Sequence, residues 1–315
     1  MPSFLNKVRN LKTIAAIDLG SNALRAVIAR QQGNKVEIIK SFREPLRLGE
    51  DVFNHGSISE IKMQKTEEAF IKLFHIFTEY NVTDIRAMAT SAMRDSKNGA
   101  LLAQRIFQST GIEIETIGGI EEAEVIFKAV KCQINLKKKD SLLMDIGGGS
   151  TELIIIKNDK IKAVKSFNVG TVRLLKLEHD ELEKEIFSHL DKMLLFIKSN
   201  IKLKQLDSFI GTGGNLRRIG KIRKKMLGKS SSELALFNEI HHMEQAILSM
   251  SYVDRIRRLE LDQNRADVIL PAIMLTHLLM ERLKITKIHL PKVGLKEGII
   301  LTMLAKAPKF LISKD

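Results

Sequence analysis

Two short segments of this chain share one pattern: an apolar run, then an aspartate, then a turn of small or hydroxylated residues. The first segment spans residues 13–22 and contains Asp18, and the second spans 141–152 and contains Asp145. A further apolar run follows each turn, so each segment is predicted to form a strand, a tight turn and a second strand. Glycine lets backbone N–H groups approach an anion, and an aspartate can hold a divalent cation beside it. Two such turns facing one another would bind a phosphate chain from both sides.

The order of strands and helices repeats along the chain. Three strands followed by helix–strand units occur twice, which predicts a duplicated α/β fold with a cleft between the halves. A length of 315 residues fits two domains, and the polar stretch 135–140 is the predicted linker. The predicted domains are 1–134 and 135–315, with the last helix packing back on the first domain. The predicted strands are 13–18, 23–31, 35–41, 84–90, 112–117, 141–146, 151–157, 160–168, 208–211 and 287–290; the predicted helices are 58–80, 99–110, 121–130, 171–177, 181–202, 215–226, 236–249, 263–283 and 295–305.

The chain is strongly basic, with a formal net charge of +14 and an isoelectric point near 9.7. This charge suits a polyanionic partner such as polyphosphate, a nucleotide, nucleic acid or anionic lipid, although lysines spread over solvated faces would give the same total. Nucleic acid is not the predicted partner, because aromatic residues make up only 5% of the chain and tryptophan is absent.

The sequence predicts a cytoplasmic protein that does not bind membranes. The longest apolar stretch, 268–280, is short and contains Pro271 and His277, so it is predicted to be a core helix. The first twelve residues are polar and basic and lack the apolar centre of a signal peptide. The single cysteine, Cys132, excludes an intramolecular disulfide and fits a reducing compartment.

Four loops rich in small residues are predicted to bind phosphate through their backbone N–H groups. The last of them precedes a helix, whose N-terminus would also face the anion. Neither the P-loop motif nor the G-x-G-x-x-G dinucleotide motif is present. The predicted phosphate-binding residues are Gly20, Ser21, Asn22, Gly147, Gly148, Gly149, Ser150, Thr151, Gly170, Gly211, Thr212, Gly213, Gly214 and Asn215.

Eight motifs together resemble one known family. In order along the chain, they lie at 16–22, 89–94, 119–123, 145–152, 170–173, 211–214, 265–271 and 294–298. The chain is similar to the exopolyphosphatase/guanosine pentaphosphate phosphatase family of the actin-like ATPase superfamily, in its short two-domain form. The resemblance covers residues 13 to about 305.

The resemblance implies two ribonuclease-H-like domains that hydrolyse a terminal phosphate in their cleft with Mg²⁺. Glu122 falls on the family's proposed catalytic base, and Arg94 on an arginine that faces the phosphate site. The predicted metal ligands are Asp18, Asp145 and Glu152. A homodimer is also plausible from the family. Without the resemblance, Glu121 and Glu122 are explained as acids favoured at the start of a helix. The predicted metal ligands are then explained as residues that cap turns, and Arg94 as a surface arginine.

The predicted function is exopolyphosphatase activity on inorganic polyphosphate. A guanosine pentaphosphate 5′-phosphatase is the alternative with the same machinery, and a non-catalytic sensor of polyphosphate or alarmone is the second. Departures from the family pattern at Ile120, Asn215 and Lys296 are compatible with the sensor.

A basic stretch and a pair of adjacent histidines lie in the C-terminal half. The basic residues of 217–229 either extend a channel for a long polyphosphate or form the wet face of a helix. His241 and His242 are not predicted to bind one metal ion, because helical neighbours point apart.

Overall fold

A computed structural model describes residues 12–32, 35–177, 179–304 and 309–311 of the chain. Residues 1–11 of the predicted polar N-terminus, and residue 305 of the last predicted helix, lie outside this part. No helix in the described part is long and apolar enough to cross a membrane.

The N-terminal half begins with three strands, as predicted, and continues with helices and two further strands. The strand β1 is buried along almost its whole length, which explains its unbroken apolar run. The long helix α2 buries residues spaced three or four apart, among them Thr66, Phe70, Leu73 and Phe77. The elements are β1 (Lys12–Leu19), β2 (Leu24–Gln32), β3 (Lys35–Glu44), α1 (Leu48–His55), α2 (Glu60–Glu79), β4 (Asp84–Ala89), α3 (Ser91–Asp95), α4 (Gly99–Thr110), β5 (Ile114–Thr116) and α5 (Gly119–Gln133).

The C-terminal half opens with the same three-strand pattern. A short 3₁₀ turn at Leu203–Gln205 separates its first long helix from the next strand. The elements are β6 (Asp140–Ile146), β7 (Thr151–Lys157), β8 (Lys160–Phe167), α6 (His179–Asn200), β9 (Ser208–Thr212), α7 (Gly214–Met226), β10 (Leu234–Leu236), α8 (Phe237–Leu248), α9 (Tyr252–Leu259), α10 (Gln263–Ala266), α11 (Ile269–Leu283), β11 (Lys287–His289), α12 (Leu295–Thr302) and β12 (Lys309–Leu311).

Within the described residues these strands form two six-stranded sheets that match in five strands, while the sixth strand, β12 or β10, lies at opposite edges. The orders are β12-β3-β2-β1-β4-β5 and β10-β11-β9-β6-β7-β8. In each sheet the first three strands of the half are antiparallel neighbours, and the next strand pairs in parallel with the first of them. The predicted duplication of an α/β unit is therefore confirmed.

The final helix packs on the N-terminal half. Leu295, Ile299 and Ile300 share a buried cluster with Ala16 of β1 and Ile126 of α5. Strand β12 also joins the first sheet, in parallel beside β3. The chain thus returns to the half from which it started, and the start of α12 is placed between the two halves.

Two predicted helices are wrong or incomplete. Residues 171–176 form turns instead of a helix, because the N–H groups of Thr171 and Val172 donate to the carbonyls of Gly147 and Gly148. The predicted helix 263–283 is divided into α10 and α11. Its second part starts at Ile269, which places Pro271 in the first turn, where a missing N–H group costs no hydrogen bond.

Candidate active site

The two matching hairpins place charged residues at the same register position. Asp18 of β1 lies opposite Arg25 of β2, and Asp145 of β6 lies opposite Glu152 of β7. In the first hairpin the pair is neutralised, since Arg25 Nη1 lies 3.1 Å from Asp18 Oδ2. In the second hairpin both members are acids. The duplicated hairpins therefore differ in charge at the position nearest the cleft.

A third carboxylate joins the acidic pair. Glu122 lies in the first turn of α5, and one ligand oxygen from each of Glu122, Asp145 and Glu152 lies within 4.8 Å of the others. Their exposed fractions are 7%, 5% and 0%, respectively. Three acids are thus gathered in a space almost closed to bulk water.

Burial raises the pKa of each of these carboxyls. The pKa of Glu152 rises to about 7, with the Asp145 carboxylate adding to the effect of burial. The pKa of Glu122 rises well above its usual value, because burial and the charges of Glu152, Asp145 and Asp18 all disfavour ionisation. Burial also raises the pKa of Asp145, although Thr212 Oγ1 donates to its Oδ1 at 2.5 Å.

This group fits a divalent cation. Glu122 Oε2 and Glu152 Oε2 are buried and have no hydrogen-bond partner among the described residues. An ionised buried oxygen without a partner is costly, and a hard cation bound by carboxylate oxygens removes that cost. Carboxylate oxygens such as these are donors that hard divalent cations accept, and Asp145 and Glu152 can hold one while Glu122 binds a water.

Asp18 and Arg94, also predicted as site residues, occupy different positions from this group. Asp18 lies in the cleft but faces Arg25. Arg94 Nη1 donates to the carbonyl of Ile117 at 3.0 Å, and its charge favours ionisation of Glu122 and Glu152. The structure therefore brings Arg94 close enough to act on the acids while its guanidinium is held by the backbone.

The predicted loops form much of the cleft wall. Its lining includes Gly20, Ser21, Asn22, Gly147, Gly148, Ser150, Gly213, Gly214 and Asn215. The two aspartate-containing turns touch, because a Cβ on Gly148 would lie 3.0 Å from Ser21 Cβ. Gly213 has a φ of 99°, a conformation that favours glycine, and it turns the chain from β9 into α7.

The other predicted loop residues lie outside the cleft lining. Gly149 and Gly170 pack against each other, so that a Cβ on Gly170 would lie 2.4 Å from Gly149 C. Thr151 Oγ1 donates to the carbonyl of Val169, and Thr212 Oγ1 donates to Asp145. Gly211 packs against Ile288 and Leu216. These residues shape the loops and do not themselves face the cleft.

Two helices begin at the cleft. The first residues of α7 and α12 line it, including Gly214, Asn215, Leu295 and Lys296. Helix N-termini carry unpaired N–H groups and a partial positive charge, and they favour bound anions. The cleft thus combines anion-binding backbone with a group of buried acids, an arrangement suited to a phosphate and a metal ion together.

A basic cavity of about 850 Å³ adjoins the cleft. Arg25, Gly214, Arg217, Lys296 and Glu297 line both spaces. The positive charge in this cavity is only partly compensated by acids, through the ion pairs Arg25–Asp18, Arg265–Asp262, Lys292–Glu233 and Lys296–Glu297. Burial, together with the charges of Arg43, Arg218 and Arg25, lowers the pKa of Arg265 to about 9. The remaining basic residues of the lining are Lys40, Arg218, Lys221, Lys224 and Lys292.

The basic residues of 217–229 divide into two groups. Those lining the cavity are Arg217, Arg218, Lys221 and Lys224. Arg223, Lys225 and Lys229 instead form ion pairs with Glu239 or Glu260. Part of this stretch therefore lines the cavity, and part pairs with acids of the C-terminal half, where Arg223 is buried.

Several lining residues were not predicted as site residues, notably Arg25, Ser91, Thr171 and Glu297. Arg25 had a signal in the sequence, because pairing the two strands about the turn places it opposite Asp18. Ser91 Oγ lies 2.8 Å from Ser21 Oγ, a contact that depends on tertiary packing and leaves no local signal.

We expect Glu152→Gln to stabilise the folded protein at high pH in the absence of divalent cations. The folded-state pKa of about 7 exceeds the ordinary value of 4.5, so ionisation of Glu152 costs stability as the pH rises from about 4.5 to about 7. At about 1.4 kcal/mol per pKa unit, this cost amounts to roughly 3 kcal/mol at most. Glutamine keeps the acceptor that binds Ser166 Oγ.

The measurement is the free energy of unfolding at pH 5 and at pH 8 with a chelator present. The exposed Glu124→Gln on the same helix as Glu122 is the control. Equal pH dependence in the wild type and Glu152→Gln would contradict the expectation.

Known proteins similar to this chain include ones named as a phosphatase or a pyrophosphatase, and one family model matches most of the chain. The model of the Ppx/GppA phosphatase family matches residues 27–307. A bifunctional 3-dehydroquinate synthase/phosphatase of Fusobacterium nucleatum is 31% identical over 84% of this chain and 43% of its own length. A guanosine-5′-triphosphate,3′-diphosphate pyrophosphatase of Vibrio vulnificus is 25% identical over 96% of this chain and 61% of its own length. The chain thus spans about half the length of these relatives.

Solved structures share the fold. A crystal structure of an exopolyphosphatase from Cytophaga hutchinsonii has a TM-score of 0.85 and 25% identity, covering 94% of this chain and 100% of that one. An Aquifex aeolicus member of the Ppx/GppA family has a TM-score of 0.77 and 24% identity, covering 93% and 98%. The fold is the expected α/β arrangement of two actin-like ATPase, or ribonuclease-H-like, domains with a cleft between them.

Proposed function

Because the chain belongs to the Ppx/GppA phosphatase family, we propose that it is an exopolyphosphatase that removes the terminal phosphate of inorganic polyphosphate by attack of water. The observation that carries this proposal is the group of three buried carboxylates beside loops and helix starts suited to anions. Phosphoryl transfer to water needs a positioned water and neutralisation of the phosphate charge, and this cleft has groups for both.

In this proposal Glu122 accepts the proton of the attacking water. Its Oε2 has no hydrogen-bond partner among the described residues, so it is free to bind water. Burial and the charges of the neighbouring acids raise the pKa of Glu122, which makes it a stronger base once it is ionised. Arg94 favours that ionised state.

Asp145 and Glu152 would hold Mg²⁺, with Asp18 beside them. The bound cation would neutralise charge on the phosphate oxygens and lower the pKa of the surrounding acids. The backbone N–H groups of the turns at 21–22 and 148–150 and of the loop at 213–215 would hold the terminal phosphates, since those of Gly20 and Gly147 already donate within their own turns. Arg25 keeps Asp18 in place through their ion pair.

The basic cavity supports a long inorganic chain as the substrate. It adjoins the cleft and has room for several phosphates. Its lining includes four basic residues that form no ion pair with a described acid, which favours a polyanion there: Arg217, Arg218, Lys221 and Lys224. A polymer that enters from this side would place its end at the carboxylates and its remaining phosphates against Arg217, Arg218 and Lys221.

We expect the double variant Arg218→Gln/Lys221→Gln to raise the KM for long-chain polyphosphate roughly tenfold, since about 1.4 kcal/mol of lost charge-assisted contact is a factor of ten. The kcat should change little, because neither residue lines the carboxylate cleft. The KM for tripolyphosphate should also change little, because a chain of three phosphates with its end at the carboxylates reaches only a short way into the cavity. Lys225→Gln is the matched control, since Lys225 lies on the same helix and pairs with Glu260 at 2.5 Å. An equal effect on both substrates would count against the channel.

Guanosine pentaphosphate is the alternative substrate, and the name of the Vibrio vulnificus relative favours it. The deciding experiment compares kcat/KM for long-chain polyphosphate and guanosine pentaphosphate in one preparation with Mg²⁺. A higher value for the nucleotide would overturn the choice of substrate and leave the phosphohydrolase intact. Tight binding of both with no phosphate release would indicate a sensor.

The proposal includes a cytoplasmic homodimer that binds neither nucleic acid nor membranes. The single cysteine supports a reducing compartment. Light scattering of the purified chain tests the dimer directly.

A further inference from the structure

A second group of ligand-type side chains lies between α8 and α11, away from the cleft. We refer to His241, Glu244 and His277 as the α8–α11 cluster. One ligand atom from each lies within 4.8 Å of the others. None of the three lines the cleft or the basic cavity, so the proposed hydrolysis of phosphate makes no use of them.

Hydrogen bonds and ring stacking already hold the cluster together. His277 Nδ1 lies 2.7 Å from Glu244 Oε2, and His277 Nε2 lies 3.1 Å from His241 Nδ1. The ring of Phe237 stacks on that of His277, with 5.2 Å between their centroids and 24° between their planes. Glu244 and His241 thus approach opposite nitrogens of the His277 ring, so binding of one ion by all three requires these side chains to turn about their side-chain bonds.

The burial of the cluster provides both an enclosed site and a way in. Glu244 and His277 are each 7% exposed, whereas His241 is exposed at the surface. An ion arriving from solvent meets the exposed ring of His241 first and then the buried pair beneath it. His242, the next residue on α8, is exposed but does not belong to the group.

The local charge favours a cation, in contrast to the basic chain as a whole. Besides Glu244, the carboxylates of Glu183 and Glu281 lie near enough to raise the pKa of Glu244, although burial is the larger cause. A divalent cation bound among them would be stabilised by three acids.

We propose that the α8–α11 cluster binds Zn²⁺ or a divalent ion of similar preference, with His241, Glu244 and His277 as ligands and water at the fourth position. Two imidazoles and one carboxylate form a donor set that zinc accepts in tetrahedral sites. Mg²⁺ prefers oxygen ligands alone, so this site and the carboxylate cleft select different ions. The bound ion links α8 to α11 and stabilises the C-terminal half.

The first test is Co²⁺ and Zn²⁺ binding to the metal-free full chain, comparing His241→Ala with His242→Ala. Both replace an exposed histidine on the same helix, so both should fold, and any binding at the cleft is common to both. We expect Co²⁺ to give a visible absorption band of a nitrogen-ligated tetrahedral site in the wild type and His242→Ala. We expect His241→Ala to lose that band and to bind Zn²⁺ at least about tenfold more weakly, at the lower end of the losses seen when a zinc site is disturbed.

Thermal unfolding provides an independent readout. Zn²⁺ should raise the unfolding midpoint of the wild type and His242→Ala, because an ion that binds only the folded state stabilises it, and should raise that of His241→Ala less. Glu244→Gln should behave like His241→Ala. Equal Zn²⁺ affinity in the two histidine variants, or no Co²⁺ band in the wild type, would overturn the proposal.

Discussion

Glu122→Gln should lose phosphate release from polyphosphate by about 10²- to 10⁴-fold, the range typical of a missing general base. Glutamine has almost the same volume and keeps an oxygen acceptor, but it cannot take a proton from water. Because Glu122 lies among other buried acids, removing its charge should leave substrate binding unchanged or tighter. The measurements are single-turnover phosphate release with Mg²⁺ and the equilibrium affinity for tripolyphosphate.

Glu121→Gln is the matched control. Glu121 precedes Glu122 in the first turn of α5 and is exposed, so its replacement removes the same charge at almost the same place along the helix axis. If Glu122 served only to favour the helix start, both variants would behave alike. Full turnover in Glu122→Gln would remove the proposed base, and normal binding with lost turnover in both variants would point to a wider charge effect.

Gly298→Ala is expected to cause the largest loss of stability among the substitutions considered. A Cβ at this position would lie 2.2 Å from the carbonyl oxygen of Val125 and 2.8 Å from its carbonyl carbon. Since these are backbone atoms of α5, the contact is relieved only if α12 moves away. We expect a cost of about 3 kcal/mol and a fall in the unfolding midpoint of roughly 5–10 °C.

The control for this variant is Gly118→Ala at the start of α5. A Cβ there meets nothing within 4 Å, and the backbone φ is −77°, which alanine adopts readily. The change should cost below about 1 kcal/mol as a weaker helix cap. Thermal unfolding of both variants is the measurement. Similar midpoints would show that α12 and α5 are not closely packed in solution.

Phosphate release from Gly298→Ala has a second expected outcome. Lys296 and Glu297 precede Gly298 on α12 and line the cleft, so a shift of this helix moves them as well. Activity should therefore fall at temperatures where the variant is still folded.

The hairpins and their acids were predictable because the signal is local. Strands β1 and β6 are buried on both faces, and strands of this kind appear in a sequence as unbroken apolar runs. An aspartate that ends such a run is conspicuous, as at Asp18 and Asp145. Glu152 begins the next run, and its role in the site was predicted from the family resemblance.

What the sequence did not predict depends on contacts between distant segments. The turns at 171–176 have helix-forming composition, but loop carbonyls at Gly147 and Gly148 bind their N–H groups. Helix α9 buries only Leu259, so it shows too little apolar periodicity to be recognised. The ion pair of Asp18 with Arg25 required the register of the hairpin in addition to the existence of its strands.

The α8–α11 cluster illustrates the same limit. His277 lies in the apolar run of α11 and reads as an ordinary core residue. Its partners on α8 are more than thirty residues away in sequence, since the separation from His241 is 36. Only the packing of the two helices makes these side chains neighbours.

The path of the chain between the halves has a mechanical consequence. It passes from the N-terminal to the C-terminal half between α5 and β6, and returns between β11 and α12. Two such connecting segments allow rotation about the line that joins them and oppose sliding of one half past the other. Gly294 lies in the segment that returns to the N-terminal half, and it lines the cleft. Rotation of one half against the other about these two segments would therefore move the cleft wall at Gly294.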